Sequence, residues 1–219
     1  MLIGIVGGTG AMGSSLGLRL SSYGHHILLG SRNADKAREV SASLADLQRS
    51  GSGAIDGVTN LEAAKGELVF IAAPFEGVQE LVKELSVNLS GKVVVSLVNA
   101  MVKVGSEMQP LTLARGSVAQ SIQAVLPSSV VVSGLHHVAA KELAKVDSPM
   151  DVDVILCSDC PEGKDAVTDL LSVIPGIRML DGGSLSSSGA VESMTAVLIN
   201  LNIKYKTRTA LRITGIKER

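Results

Sequence analysis

The sequence is poor in the side chains that stack on nucleobases. It contains no tryptophan, two phenylalanines and two tyrosines among 219 residues, and its formal net charge is only −1. Single-stranded nucleic acids are held largely by base–aromatic stacking along a cationic groove, so we expect no nucleic-acid partner. The balanced charge also gives no general attraction to an anionic membrane surface.

Long apolar runs are also missing, and we expect no N-terminal signal peptide. No apolar stretch reaches the roughly 20 residues that span a bilayer, and the first apolar segment is only as long as a β-strand, with no basic segment before it. We therefore expect a cytoplasmic protein without membrane attachment. The cysteines form a single Cys157-x-x-Cys160 pair, and without a second ligand pair we expect no metal site.

Common catalytic motifs are absent as well. The chain has neither a G-x-S-x-G nucleophile elbow nor an H-E-x-x-H metal motif. It also lacks a helical Lys-x-x-x-Asn pair that would reduce a ketone by acid–base catalysis; Lys103 follows Asn99 in the wrong order, on a predicted loop. Direct hydride passage between two stacked rings needs alignment rather than such a pair.

What the chain does contain is a dinucleotide motif at its start. Residues 3–13 read as a buried strand, a glycine turn and a helix, and Gly8, Gly10 and Gly13 fit the G-x-G-x-x-G pattern. The first glycine permits the tight turn, the second lets backbone approach a pyrophosphate, and the third lets helix and strand pack closely. The helix starting near Ala11 would direct its N–H groups at phosphate.

The tip of the next predicted strand selects the cofactor. NAD sites place an Asp or Glu there to hold the ribose 2′-hydroxyl. This chain instead has Ser31 and Arg32, with Lys36 one helical turn further on. A hydroxyl, a guanidinium and an ammonium suit a 2′-phosphate dianion, so the sequence predicts NADP(H).

Apolar runs alternate with amphipathic segments along most of the chain. This alternation predicts right-handed βαβ units and an α/β fold, namely a Rossmann-type doubly wound parallel sheet with a small C-terminal lobe. The predicted strands are Leu2–Val6, Ile27–Leu29, Leu68–Ala72, Val93–Leu97, Val130–Gly134 and Val152–Cys157. The predicted helices of this part are Ala11–Tyr23, Ala34–Gln48 with Asn33 as its N-cap, Phe75–Leu85 and Ser117–Val125.

The C-terminal part has a different pattern. We expect a turn at Pro161 and Gly163, a helix over Lys164–Val173, a short strand over Arg178–Leu180 and a flexible loop over residues 182–189. A long apolar helix over Ala190–Leu201 is then either buried or packed on another subunit. We predict an NADP-binding domain over residues 1–150 and a smaller lobe over 151–219 that completes the cleft and makes a dimer contact.

Strand tips are where ligands bind in open α/β sheets. Two such tips, at Ala73-Pro74 and at Asn99-Ala100-Met101, offer small or apolar side chains as a floor for a nicotinamide ring. A third tip carries His136, and a histidine there can polarise a carbonyl or stabilise developing anionic charge.

Together these residues resemble the F420H2:NADP+ oxidoreductases, which pass hydride between NADP(H) and the deazaflavin coenzyme F420. The resemblance covers most of the chain. It rests on the following segments: Val6-Gly7-Gly8-Thr9-Gly10-x-x-Gly13, Gly30-Ser31-Arg32 with Lys36, Pro74 before an aromatic residue, Ser133-Gly134-Leu135-His136, Leu180-Asp181-x-Gly183-x-Leu185-Ser186, and Val191-Glu192-Ser193-Met194-Thr195.

The resemblance implies a role for each site residue. Pyrophosphate contacts fall on Thr9, Gly10, Ala11 and Met12, and 2′-phosphate contacts on Ser31, Arg32 and Lys36. The nicotinamide side is lined by Ala73, Asn99, Met101 and Ala140, while His136 and Val138 lie near the deazaflavin, with His136 as the catalytic residue. Members of the family associate as homodimers.

Other functions fit the same residues. One is an NADPH-dependent reductase of another acceptor, such as an imine, a ferric chelate or a flavin; another is a non-catalytic NADP(H) sensor. The basic C-terminal tail also has two interpretations. It is either a solvated helix end or a contact for the anionic tail of the deazaflavin, and its cations are Lys204, Lys206, Arg208, Arg212, Lys217 and Arg219.

Overall fold

A computed structural model describes residues 1–216 of the chain. Its strands are β1 (Leu2–Val6), β2 (His26–Ser31), β3 (Ile55–Thr59), β4 (Leu68–Ile71), β5 (Val93–Ser96), β6 (Met101–Val104), β7 (Glu107–Pro110), β8 (Val130–Ser133), β9 (Val152–Leu156) and β10 (Ile177–Asp181). Its helices are α1 (Ala11–Ser21), α2 (Ala34–Ala45), α3 (Asn60–Ala63), α4 (Val78–Glu84), α5 (Ser86–Leu89), α6 (Val118–Val125), α7 (Ala140–Leu143), α8 (Pro161–Leu171) and α9 (Ser188–Tyr205).

The main sheet has six parallel strands in the order β3-β2-β1-β4-β5-β8. The central strands are continuous apolar runs, such as Leu-Val-Phe-Ile in β4, because helices cover both faces of the sheet. The strand order reverses beside β1, so a crevice opens there at the carboxyl ends of the strands. The predicted Rossmann-type sheet is therefore confirmed.

Helices pack on the two faces through separate apolar cores. One core joins β1 and β2 to side chains such as Leu16 of α1, Leu44 of α2 and Val167 of α8. The other core contains Val82 of α4 and Ile122 of α6. This layering fixes the start of α1 at the carboxyl edge of the sheet.

The C-terminal part adds two strands beside the main sheet. Strands β9 and β10 pair in parallel, and one antiparallel bridge joins them to β8: Ser133 N donates to Cys157 O at 2.8 Å, and Cys157 N donates to Ser133 O at 3.0 Å. The β6–β7 hairpin is held on α9 by Asn200, whose side chain accepts from Met108 N at 2.7 Å and donates to Met108 O at 2.8 Å.

A fully buried arginine connects α1 to the segment after β8. All five N–H groups of the Arg19 guanidinium donate to carbonyl oxygens between Glu142 and Ser148, over distances from 2.6 to 3.2 Å. Two of these acceptors, Glu142 O and Leu143 O, are the last carbonyls of α7, which a short helix leaves without internal partners, and the other three lie in the segment after it. The cationic side chain is thereby accommodated at 0% exposure.

Several expectations about local structure were wrong. The segment predicted as a loop around Lys103 is strand β6, and Pro161 begins α8 rather than forming a turn, because its fixed φ suits the first helical position. The predicted loop over 182–189 contains a 3₁₀ turn at Leu185–Ser187 and the first residues of α9. Helix α9 is longer than predicted at both ends.

Candidate cofactor-binding cleft

A cleft of about 660 Å³ opens at the carboxyl edge of the sheet, where the strand order reverses. Nine predicted site residues line it, namely Thr9, Gly10, Ala11, Met12, Ser31, Arg32, Lys36, Ala73 and Asn99. The fold thus brings the predicted glycine turn, the cationic strand tip and two further strand tips to one cleft. The volume of this cleft is typical of sites for cofactors and other small molecules.

The glycine turn divides into packing positions and an open position. A Cβ on Gly13 would lie 2.6 Å from the Cα of Gly8, and a Cβ on Gly8 would lie 2.8 Å from the carbonyl oxygen of Ile5. These two glycines therefore lie beneath the cleft surface and allow α1 to approach β1. A Cβ on Gly10 would meet nothing closer than the Gly7 oxygen at 4.0 Å, so backbone is exposed there for a ligand.

The start of α1 provides a site for an anion. Its N-cap, Gly10, supplies no side-chain hydrogen bond, and the first turn carries no acidic residue. The N–H groups of Ala11, Met12 and Gly13 have no acceptor within the helix. Together with the positive end of the helix dipole, they would bind a pyrophosphate.

The tip of β2 supplies the cations. The side chains of Arg32 and Lys36 are exposed on the cleft, and within residues 1–216 neither forms a salt bridge with a carboxylate. Asn33 caps α2 as predicted, accepting hydrogen bonds from Asp35 N and Lys36 N. Its own N–H donates to Ser31 Oγ at 3.2 Å, so the cap also orients the hydroxyl beside the cations.

The opposite wall of the cleft includes the half-buried side chains of Ala73 and Asn99. Ala73 packs against Gly7, since a Cβ on Gly7 would lie 2.7 Å from the Cα of Ala73. Asn99 lines the cleft and donates from Nδ2 to the His136 carbonyl at 3.2 Å. Asn99 therefore connects the cleft to the loop after β8.

His136 itself is enclosed rather than open to the cleft. The residue is 4% exposed, its Nε2 lies 2.8 Å from Ser133 Oγ, and its carbonyl accepts a second hydrogen bond from Thr195 Oγ1 at 3.0 Å. Burial, with a smaller contribution from His137, lowers the pKa of His136 to about 3, although backbone hydrogen bonds at Leu97 and Val98 oppose the shift. The ring is therefore neutral at physiological pH.

Three further predicted residues also lie away from the cleft lining. Val138 is buried, Ala140 is the first residue of α7, and Met101 is the first residue of β6. The structure brings none of them, nor His136, to the surface of the cleft that Arg32 lines. The roles of Met101 and Ala140 beside the nicotinamide, and of His136 and Val138 beside the deazaflavin, stay predictions.

Asn60 is a cleft residue that the sequence analysis missed. It begins α3 directly after β3, and its Oδ1 accepts from Gly7 N at 3.0 Å. The available signal was Thr59-x-x-Glu62, which forms a capping box and announces a helix start. The strand before it was not predicted, and without that strand the helix could not be placed at the sheet edge.

Two cations of the basic tail have carboxylate partners. Arg208 bonds to Glu142 at 3.0 Å, and Arg212 bonds to Asp151 at 2.9 Å and to the fully buried Asp153 at 3.0 Å. Hydrogen bonds from Arg178 hold the pKa of Asp153 at about 2, so the carboxylate that pairs with Arg212 is charged. Lys217 and Arg219 lie outside the described residues.

Within residues 1–216, no helix has the length and apolar character that crossing a membrane requires. The fold and cleft define a Rossmann-type dinucleotide-binding protein. A family model described as "NADP oxidoreductase coenzyme F420-dependent" matches residues 2–100. An F420-dependent NADP reductase of Methanocaldococcus jannaschii is 39% identical over 223 residues, covering 99% of this chain and 100% of that protein.

The chain belongs to the F420-dependent NADP reductase family. A second reductase with this name, from Methanothermobacter marburgensis, is 31% identical over 227 residues and covers 100% of both chains. A crystal structure assigned to an F420-dependent NADP reductase from Arthrobacter sp. FB24 superposes with a TM-score of 0.80, at 20% identity, over 97% of this chain and 99% of that one. That structure supports the fold.

Proposed function

We propose that the protein transfers hydride reversibly between NADP(H) and the deazaflavin coenzyme F420. The observation that carries the proposal is full-length relatedness to two F420-dependent NADP reductases in a chain whose cleft combines an anion-binding helix start with two exposed cations. The nicotinamide C4 and the deazaflavin C5 supply the hydride chemistry. The protein supplies binding, alignment and exclusion of water.

The cleft residues divide the nicotinamide cofactor between them. Gly10, Ala11 and Met12 bind the pyrophosphate through backbone N–H groups, with Thr9 beside them at the turn. Ser31, Arg32 and Lys36 bind the 2′-phosphate through charge-assisted hydrogen bonds, which are stronger than neutral ones. Gly8 and Gly13 act indirectly by bringing α1 close to β1. The nicotinamide then lies toward Ala73, Asn99, Met101 and Ala140.

His136 acts by position and not by charge. Its ring is neutral and held by Ser133, and its carbonyl receives hydrogen bonds from both Asn99 and Thr195. The residue therefore fixes Asn99, a cleft residue, relative to α9. We propose that this arrangement, with Val138, sets the stacking distance between the two rings.

A homodimer accounts for the apolar surface of α9. Met194, Val197 and Ile203 are 40%, 51% and 53% exposed, and a depression of about 410 Å³ lies where α9 meets the β6–β7 hairpin. Burying such side chains on a second copy removes apolar area from water.

We propose that residues 151–219 form the smaller lobe, beside the NADP domain of residues 1–150, and contribute this contact. Sedimentation of the protein as a monomer would contradict it. The cytoplasmic location stays a prediction.

The direct test is to mix the purified protein with NADPH and oxidised F420 and follow the visible absorption of the coenzyme. We expect bleaching that depends on the protein and is faster with F420 than with riboflavin derivatives. NADPH binding without bleaching would contradict the acceptor. NADPH oxidation with an imine, ferric chelate or flavin alone would favour the alternative reductases, and binding without oxidation by any acceptor would favour a sensor.

A further inference from the structure

Asn60 lines the cleft, but the proposed binding of NADP(H) gives it no role. It begins α3 at the carboxyl end of β3, where its neighbour Thr59 pairs in register with Ser31 of β2. The residue is only 7% exposed, yet it lines the cleft. Its side chain is therefore largely enclosed and yet borders the ligand space.

One end of the amide fixes the glycine turn. Oδ1 accepts from Gly7 N at 3.0 Å, while the next N–H, of Gly8, donates to Gly30 O at 2.8 Å. Gly7 has a φ of +70°, a conformation that glycine adopts at little cost. A Cβ on Gly30 would lie 2.9 Å from Asn60 Oδ1. Asn60 thus packs between the tips of β1 and β2.

The other end of the amide is available to a ligand. Because Gly7 N–H is a donor, the atom facing it must be the oxygen, and this fixes Nδ2 on the opposite side. Among residues 1–216, Nδ2 donates to no protein acceptor. Because Asn60 lines the cleft, its Nδ2 is in a position to donate to an oxygen of a bound ligand.

The position of Asn60 indicates which oxygen this is. A dinucleotide with its pyrophosphate at the start of α1 and its 2′-phosphate at Arg32 must carry its adenosine ribose across the gap between the tips of β1 and β2. Asn60 contacts both sides of that gap, at Gly7 and at Gly30. The ribose and its phosphate are therefore the groups nearest to Nδ2.

We infer that Asn60 is a further cofactor-binding residue, which holds Gly7 through Oδ1 and donates from Nδ2 to an oxygen of the adenosine ribose or its 2′-phosphate. This inference rests on the proposed binding of NADP(H). It assigns to one side chain both the shaping of the glycine turn and a direct contact with the nucleotide.

Asn60→Asp tests the two ends separately. The carboxylate keeps an acceptor for Gly7 N–H but has no donor, so thermal stability should stay close to that of the unchanged protein. We expect the Kd for NADPH, measured by titration calorimetry, to rise by about tenfold or more, on the scale of one lost hydrogen bond to a charged group. A loss for NADPH alone places the contact on the 2′-phosphate, and an equal loss for NADH places it on the ribose; both outcomes support the inference.

A neutral variant separates a lost hydrogen bond from charge repulsion. Salt screens an exposed charge, but it screens a carboxylate at a position that is 7% exposed much less. Asn60→Ser removes Nδ2 without adding charge, and we expect its Kd for NADPH to rise by a similar factor. Asn33→Asp is the control for an added exposed charge, because its Oδ1 keeps capping α2, and its deficit should shrink at about 0.5 M NaCl.

Two results would overturn the inference while leaving the proposed function intact. One is an unchanged Kd for NADPH in Asn60→Asp, and the other is a raised Kd in Asn60→Asp together with an unchanged Kd in the neutral Asn60→Ser variant. If the unchanged protein fails to bind NADPH, the proposed function and the inference fall together. Should Asn60→Asp unfold, Asn60→Ser supplies the same comparison, since its hydroxyl is too short to reach both Gly7 and the ribose.

Discussion

The two ends of the cleft are built in opposite ways. At the tips of β1 and β2, backbone N–H groups at Ala11 and Met12 and the cations of Arg32 and Lys36 face open space. At the tip of β8, His136 is buried, neutral and already hydrogen-bonded. One end offers unused donors to a ligand, whereas the other is a neutral side chain enclosed by protein.

This difference indicates how each end contributes to a hydride-transfer site. Unpaired donors and cations gain most from binding a charged phosphate group, so the open end determines which dinucleotide binds. A closed, neutral end cannot offer charge, but it can hold a ring at a fixed distance, and hydride transfer depends on that distance. Substitutions at the two ends should therefore have different signatures.

The largest effect is expected within the open end, from the contrast between Gly13 and Gly10. Gly13→Ala places a Cβ within 3 Å of three Gly8 backbone atoms, and we expect the free energy of unfolding to fall by about 3 kcal/mol. Gly10→Ala has room for its Cβ, so it should change unfolding by less than about 1 kcal/mol yet block the phosphate. Chemical denaturation and NADPH titration measure the two effects.

Equal destabilisation by both substitutions would show that the two glycines have the same packing role. Retained NADPH affinity in a folded Gly10→Ala variant would mean that the pyrophosphate does not approach this backbone. Either result would remove the division between packing positions and an open position in the turn.

Cofactor selection at the open end is tested by Arg32→Ala. Loss of a charge-assisted hydrogen bond should cost NADPH binding about 1.5–3 kcal/mol, while NADH, which lacks the 2′-phosphate, keeps its affinity. Arg38→Ala is the control. Arg38 lies nearby on α2 but pairs with Asp35 outside the cleft. Equal losses for the two cofactors would contradict the assignment of Arg32.

We expect the burial of His136 at the closed end to affect how the free energy of unfolding depends on pH. The pKa of His136 is about 3 in the folded protein, below the value of about 6.5 in an unfolded chain. The unfolded state therefore binds the extra proton, and the contribution of His136 to stability falls as pH falls below about 6.5, by at most about 1.4 kcal/mol per pH unit. His136→Gln, with an amide in place of Nε2, should show a shallower decline between pH 7 and pH 5. Parallel declines would mean that His136 is not buried as a neutral ring.

The smallest effect is expected in the C-terminal tail. The ion pair of Arg208 with Glu142 is partly exposed, and such pairs contribute about 0–1 kcal/mol. Arg208→Ala should leave both the KM for F420 and the KM for NADPH unchanged. A several-fold rise in the KM for F420 alone would support the alternative that this cation contacts the anionic tail of the coenzyme.

The open end could be predicted from sequence because its signals are local. The glycine turn, the Asn33 cap and the cations of β2 lie within one βαβ unit, and each residue type has a chemical reason to be there. The structure brings these residues to one cleft. Strand β3 was missed because it is an edge strand with an exposed Asp56 and no apolar run, and this hid Asn60.

The closed end could not be predicted because its contacts join distant parts of the chain. His136 meets Asn99 from the tip of β5 and Thr195 from α9, and periodicity carries no information about such pairings. The β6–β7 hairpin escaped for a similar reason, since Asn200 of α9 holds it in place. A histidine after a strand suggested an open catalytic group, whereas tertiary packing encloses it.

The proposed function depends most on direct transfer of hydride across the cleft. NADPH carrying deuterium at the transferred C4 position, mixed with oxidised F420 and the protein in ordinary water, tests this in a single mass-spectrometric measurement. We predict that the deuterium is recovered at C5 of the reduced coenzyme. Reduced F420 without the label would contradict direct transfer, because the hydrogen would then have come from solvent.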